Sequence, residues 1–224
     1  MQFFIVLVEP ARTENVGAAA RAMKTMGFHS LRIVDSQAHL EPGARRVAHG
    51  AGDILDNVTC YPTLADALAD VDFTVATTAR SRARFHYYCT PTELLGVMQE
   101  KQQWVSSAAL VFGREDSGLT NDELALADIS TGVPMQADYP SLNLGQAVMV
   151  YCYQLAKLMQ VQAETAQAGQ LVALRHRLEK LLVTLQVDYD EKLRDRLLQR
   201  IGLLQQRDTA MLHTLLHDIE KALK

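Results

Sequence analysis

Four stretches of this chain hold side chains whose type and spacing suit ligand chemistry. Asn15-Val16-Gly17-Ala18-Ala19-Ala20-Arg21 puts an amide and a glycine at a helix start, with an arginine in the second turn. There Gly lets backbone approach a ligand and Asn can cap the helix. Arg21 is then either a solvated charge on the outer face or a phosphate-binding fork. Phe112-Gly113-Arg114-Glu115-Asp116-Ser117-Gly118-Leu119 brackets charged residues between two glycines at the end of an apolar run, which makes a tight ligand-side loop or a charged surface turn. Thr77-Thr78-Ala79-Arg80-Ser81-Arg82-Ala83-Arg84 alternates three arginines and then runs into Phe85, His86, Tyr87 and Tyr88. Such a mixture suits phosphates and splayed bases, the chemistry of single-stranded RNA, or else a solvated loop. Thr131 to Met149 links a buried strand to an apolar helix through a polar loop holding Tyr139, Pro140, Ser141 and Asn143. Asn143 can cap that helix, and the exposed amides of its first turn favour an anion or a ligand carboxylate.

Other chemistries lack their residues. No GxxxxGK[ST] phosphate loop is present and no GxGxxG opens a helix after a strand, which argues against a dinucleotide-dependent oxidoreductase. His213 and His217 stand one helical turn apart beside Asp218 without a third placed ligand, so no metal is expected. No Ser, Cys or Thr has the context of a nucleophilic elbow or triad.

The elements that must position these stretches read as α/β. Phe3 to Val8 is a continuous apolar run of strand length, of the kind buried on both faces. A helix of Ala and Met follows and ends at Gly27, and Phe28 to Val34 is the next strand. Further strands are expected at Val58–Tyr61, Phe73–Thr78, Ala108–Phe112 and Ile129–Val133. Helices are expected at Ala44–Gly50, Leu64–Ala69, Thr92–Gln99, Asn121–Ala127 and from Asn143 through Met159. Strands alternating with short helices predict a mainly parallel sheet whose ligands sit at the carboxyl ends of strands. A polar stretch around Gln160 to Gln170 marks a boundary, and leucines then recur at helical spacing in three amphipathic helices.

The 224 residues, nearly half of them apolar, suffice for one good-sized domain plus an appendage. The net charge is −4. Residues 1–166 hold 12 Lys+Arg against 18 Asp+Glu, and residues 167–224 hold 10 against 8, so an acidic polymer would be bound through local patches. Three dispersed cysteines, Cys60, Cys89 and Cys152, point to a reducing compartment. The first residues read as a strand with no basic leader, no stretch reaches membrane-spanning length, and a cytoplasmic protein is expected.

Taken jointly, NxGxxxR, FGREDSGL and VPM…SLNLGQAV, in this order and with these separations, resemble the SpoU family of S-adenosylmethionine-dependent RNA 2′-O-ribose methyltransferases. The resemblance covers about residues 3–160. Around ARAMKTMGF and TARSR it extends to the branch that methylates a tRNA anticodon-loop ribose. It implies an α/β fold with a mainly parallel sheet and a deep C-terminal trefoil knot in a methyltransferase domain over residues 1–162, a helical extension over 168–224, and a homodimer whose sites are completed by the partner chain. It also implies S-adenosylmethionine as cofactor, held by Thr77, Thr78, Ala79, Gly113, Val133, Pro140, Ser141 and Leu142. Asn15, Arg21, Glu115, Ser141 and Asn143 would face the acceptor ribose, with Arg80, Arg82 and Arg84 on the RNA. The branch's usual serine before Ser141 is Pro140 here, which stiffens the loop and removes a backbone donor. The substrate implied is tRNA, with rRNA as the alternative. The rival class is an RNA-binding protein that kept the fold without the reaction.

Overall fold

The computed structural model describes residues 1–79, 87–136, 141–160, 169–187 and 189–223. It opens with strand β1 (Gln2–Val8), followed by α1 (Thr13–Met26), β2 (Ser30–Val34), a 3-10 turn (Ala38–Leu40), α2 (Pro42–Val47), α3 (Gly52–Asp56) and β3 (Thr59–Tyr61). Then come α4 (Leu64–Leu68), β4 (Phe73–Thr77), β5 (Tyr87–Cys89), α5 (Pro91–Lys101), β6 (Ser107–Phe112), α6 (Asn121–Ala125) and β7 (Ile129–Thr131). The chain closes with α7 (Leu144–Leu155), a 3-10 segment (Ala156–Gln160), α8 (Gln170–Thr184), α9 (Glu191–Gly202) and α10 (Gln206–Ala222).

The seven strands lie in the order β3-β2-β1-β6-β4-β7-β5, and every pairing is parallel. Because successive side chains of a strand point to opposite faces, the unbroken run FFIVLV feeds two cores at once. Phe3, Ile5 and Leu7 join Val16, Ala20 and Met23 of α1 and Val148 and Leu155 of α7. Phe4, Val6 and Val8 join Leu64 of α4 and Leu124 of α6. Such a sheet directs the loops after β1, β4, β6 and β7 to one edge, and those loops hold the four stretches singled out above.

Several sequence expectations need correction. The helix expected over Ala44–Gly50 is α2, beginning two residues earlier and ending at Val47, and α3 is a further short helix beyond it. Tyr87 to Cys89, read as part of a polar loop, is an edge strand paired with β7. The helix after Asn143 is α-helical only to Leu155. Asn15 is no helix cap: α1 starts at Thr13 and its cap position is Arg12, which makes no side-chain cap bond.

The C-terminal helices share the first core through Leu171, Leu174, Leu178, Leu181, Leu182, Ile201 and Leu216. Leu185, Leu193, Met211 and Leu215, expected on apolar faces, are exposed. Polar contacts join this unit to the amino edge of the sheet. Lys101 Nζ donates to the Leu204 carbonyl at 2.6 Å, and Arg175 pairs with the buried Asp128, whose other oxygen accepts the Thr74 amide at 2.8 Å. Burial pushes the Lys101 ammonium down to about 8.

Candidate active site

At the carboxyl edge, Glu115 begins a relay of amides that joins three loops. Its carboxylate accepts the backbone N–H of Ala11 at 3.0 Å and of Arg12 at 3.2 Å, and Nδ2 of Asn15 at 3.1 Å. Burial alone would raise the Glu115 carboxyl, but these donors outweigh it and hold the group below the usual range. A carboxylate only accepts, so Asn15 must turn its NH2 towards Glu115 and its oxygen away. That oxygen accepts Nδ2 of Asn143 at 2.7 Å. Asn143 is thereby oriented too, and its own oxygen accepts the Gly145 amide at 2.9 Å as the cap of α7. One ionised group thus sets the direction of two amides and leaves Asn143 one N–H uncommitted within the relay.

The relay depends on a close crossing of α1 and α7. A Cβ added to Gly145 would lie 2.6 Å from the Ala18 Cβ, so glycine is what lets the two helices approach. On the other flank Arg114 braces the loop. It reaches Glu9 at the end of β1 and both oxygens of Glu123 at 3.0 Å, and its backbone exchanges hydrogen bonds with Gly118. Gly118 takes a φ of 71°, and a Cβ on Gly113 would stand 2.3 Å from the Gly118 carbonyl carbon. The GREDSG turn is therefore a closed, ion-braced loop and not a loose surface turn.

Beside Glu115 opens a cavity of about 410 Å³, within the range usual for small-ligand sites. Thr77, Thr78, Ala79, Gly113, Val133, Ser141 and Leu142, all expected at the cofactor, line it, and so does Glu115. Phe112 and Tyr151, stacked edge to face at 5.7 Å, and Leu144 supply apolar wall that the residue spacing gave no sign of. Pro140, Arg80, Arg82 and Arg84 lie outside the described residues. Arg21 neither lines the cavity nor joins the relay; it stands exposed on α1. No cysteine lines the cavity, and burial pushes Cys89 up to about 11 and Cys152 up to about 12. Among the described residues no group of three or more metal-ligating side chains occurs.

A ligand cavity lined by the expected cofactor residues is thus joined, through Glu115, to an oriented amide relay. Residues 2–153 match the model of the SpoU rRNA methylase family, and residues 168–223 match that of the tRNA/rRNA methyltransferase LasT C-terminal domain. The chain belongs to the SpoU family. It is 71% identical over 224 residues to the protein named uncharacterized tRNA/rRNA methyltransferase LasT of Escherichia coli (strain K12), covering 99% of this chain and 98% of that one. It is 41% identical over 151 residues to the tRNA (cytidine/uridine-2′-O-)-methyltransferase TrmJ of Yersinia enterocolitica, covering 67% of this chain and 58% of the relative. The crystal structure of TrmJ from Z. mobilis ZM4 superposes with a TM-score of 0.73 at 28% identity, covering 98% and 99% of the two chains.

Proposed function

We propose that this protein transfers the methyl group of S-adenosylmethionine to a ribose 2′-hydroxyl of RNA, with tRNA as substrate. The observation that carries this reading is the cavity lined by Thr77–Ala79, Gly113, Val133 and Ser141–Leu142, with Glu115 joining it to Asn15 and Asn143. The cavity fits the cofactor: its volume suits a nucleoside joined to an amino acid, and Phe112, Tyr151 and Leu144 give it an apolar wall. The cofactor supplies a methyl group on a sulfonium, which needs no covalent help from protein.

The chain's own task is to hold the ribose oxygen in line, an effect worth several kcal/mol. Asn143, turned by Glu115 through Asn15, presents an N–H to the acceptor ribose, and Ser141 lies on the cavity side of the same loop. On transfer, with the cofactor left as its neutral thioether, the hydroxyl proton would leave to water or to an RNA phosphate. Glu115 is a poor base, because three N–H donors already hold its carboxylate. Arg21 cannot serve as one, since a guanidinium stays charged. We assign Arg21 to the phosphate beside the acceptor ribose, where it also steadies developing alkoxide charge.

Arg21 does not line its own chain's cavity, and a homodimer would bring it to the partner's site. The exposed Tyr153 on α7, 69% accessible, is the apolar residue such an interface would cover. The segment from Thr131 to Met149, whose strand β7 pairs with β4, would be the one threaded through a trefoil knot. Residues 1–162 would form the methylating unit and 168–224 a helical extension, with Arg80, Arg82 and Arg84 on the RNA. Three free cysteines suit a reducing cytoplasm, and no helix among the described residues is long and apolar enough to cross a membrane.

Purified protein should bind S-adenosylhomocysteine and pass labelled methyl to bulk tRNA in preference to rRNA. RNA binding without any transfer would favour a non-catalytic binder instead.

A further inference from the structure

The first 79 residues hold six basic side chains, Arg12, Arg21, Lys24, Arg32, Arg45 and Arg46. Lys24 pairs with Asp53 at 2.7 Å, Arg32 with Asp70 at 2.6 Å, and Arg45 with Asp56. Arg46 reaches Glu14 only at 3.4 Å, long for a charge-assisted bond, and its side chain is 75% exposed. Arg12 and Arg21 have no carboxylate partner among the described residues, and both are exposed. In a stretch where acids outnumber bases, an uncompensated arginine asks for an anion from outside.

Arg12 is also fixed at the site. Its backbone N–H is one of the three donors on Glu115, so its side chain starts at the rim of the relay. Arg46 shares that corner, because the first turn of α2 abuts the start of α1: a Cβ on Gly43 would lie 2.2 Å from Thr13 Oγ1. Sheet order adds direction. β1 and β4 flank β6, so the loops carrying Arg12 and Ala79 emerge on either side of the one carrying Glu115. Neighbouring strands are about 4.8 Å apart, so these two loops bracket Glu115 across about 10 Å. From Ala79 the chain enters the arginine-bearing segment assigned above to RNA.

We propose that Arg12 and Arg46 form a second landing rim for RNA backbone phosphates, on the β1 side of the acceptor site and across Glu115 from Ala79. The inference rests on the RNA methyltransferase reading and adds to it where the strand leaves the site. Arg46 is drawn off its loose contact with Glu14 as the phosphate arrives.

The test is the salt dependence of tRNA binding for wild type, Arg12→Gln, Arg46→Gln and the double variant, with Arg207→Gln on the far helix α10 as charge-matched control. The rim predicts that the slope of log affinity against log salt falls by about 0.7–0.9 for each variant and by about 1.4–1.8 for the pair. Arg12→Lys should keep the slope, and affinity for S-adenosylhomocysteine should stay as in wild type. Arg12 makes no side-chain cap bond to α1, so its replacement spares the fold. A wild-type slope in the double variant, in a protein that does methylate RNA, overturns the rim. A wild-type protein that methylates no RNA overturns the reading beneath it, and the rim with it.

Discussion

Gly145→Ala should disable the site while sparing most of the fold. The new Cβ would stand 2.6 Å from the Ala18 Cβ, whereas carbon atoms pack best at about 3.5–4.0 Å. Helices α1 and α7 must therefore part by about 1 Å. The Asn143–Asn15 hydrogen bond, now 2.7 Å, would then stretch to about 3.7 Å and cease to be one. A displacement of that size at a reacting centre costs roughly 10²-fold in rate. Overpacking costs about 1–3 kcal/mol, but alanine in a helix returns about 1 kcal/mol, so the net loss of stability is about 0–2 kcal/mol. Single-turnover methyl transfer with saturating cofactor and RNA should fall about 100-fold, with only a small change in thermal midpoint. Ala18→Gly placed on top removes the clash, since the next contact is Asn143 Oδ1 at 3.4 Å, and should recover most of the rate. Wild-type turnover in the single variant, or a double variant as slow as the single, would refute the linkage between crossing and relay.

Further outcomes follow from the same geometry. Glu115→Gln keeps one acceptor oxygen for three donors and unfixes both asparagines; turnover should fall roughly 10²-fold. Because the Glu115 carboxyl is depressed in the fold, its contribution to stability is present above the ordinary carboxylate range and lost as pH falls through it, so the Gln variant should lack that part of the acid unfolding limb. Lys101, pushed down to about 8 from 10.5, binds fewer protons folded than unfolded between those values. Wild type should thus gain stability relative to Lys101→Met as pH rises from about 8 to about 10.5, by up to roughly 3 kcal/mol, measured by urea unfolding. Tyr153→Arg on the exposed face of α7 should halve the mass in light scattering and lower activity with it; an unchanged dimer would place the interface elsewhere.

The layered α/β build was readable because unbroken apolar runs such as FFIVLV occur where a strand is covered on both faces. Edge strand β5 was not, since Tyr87-Tyr88-Cys89 follows a basic run and only its pairing with β7 makes it a strand. The cavity residues were reachable through glycines and hydroxyls at strand ends. The relay was not, because Asn15, read as a helix cap, takes its role from partners 100 and 128 residues away. Nor did spacing show that Arg12 and Arg21, both near one helix start, have no carboxylate partner among the described residues. Arg114 likewise looked like one more surface charge, until Glu9 and Glu123 were seen to close on it from two elements.

The central claim is that the acceptor is a ribose hydroxyl. Purified protein, tRNA lacking ribose methylation and methyl-labelled S-adenosylmethionine should give label that survives alkaline hydrolysis in dinucleotides, because a 2′-O-methyl group blocks cleavage of the adjoining phosphodiester. Label released in mononucleotides would place the methyl on a base and contradict the account.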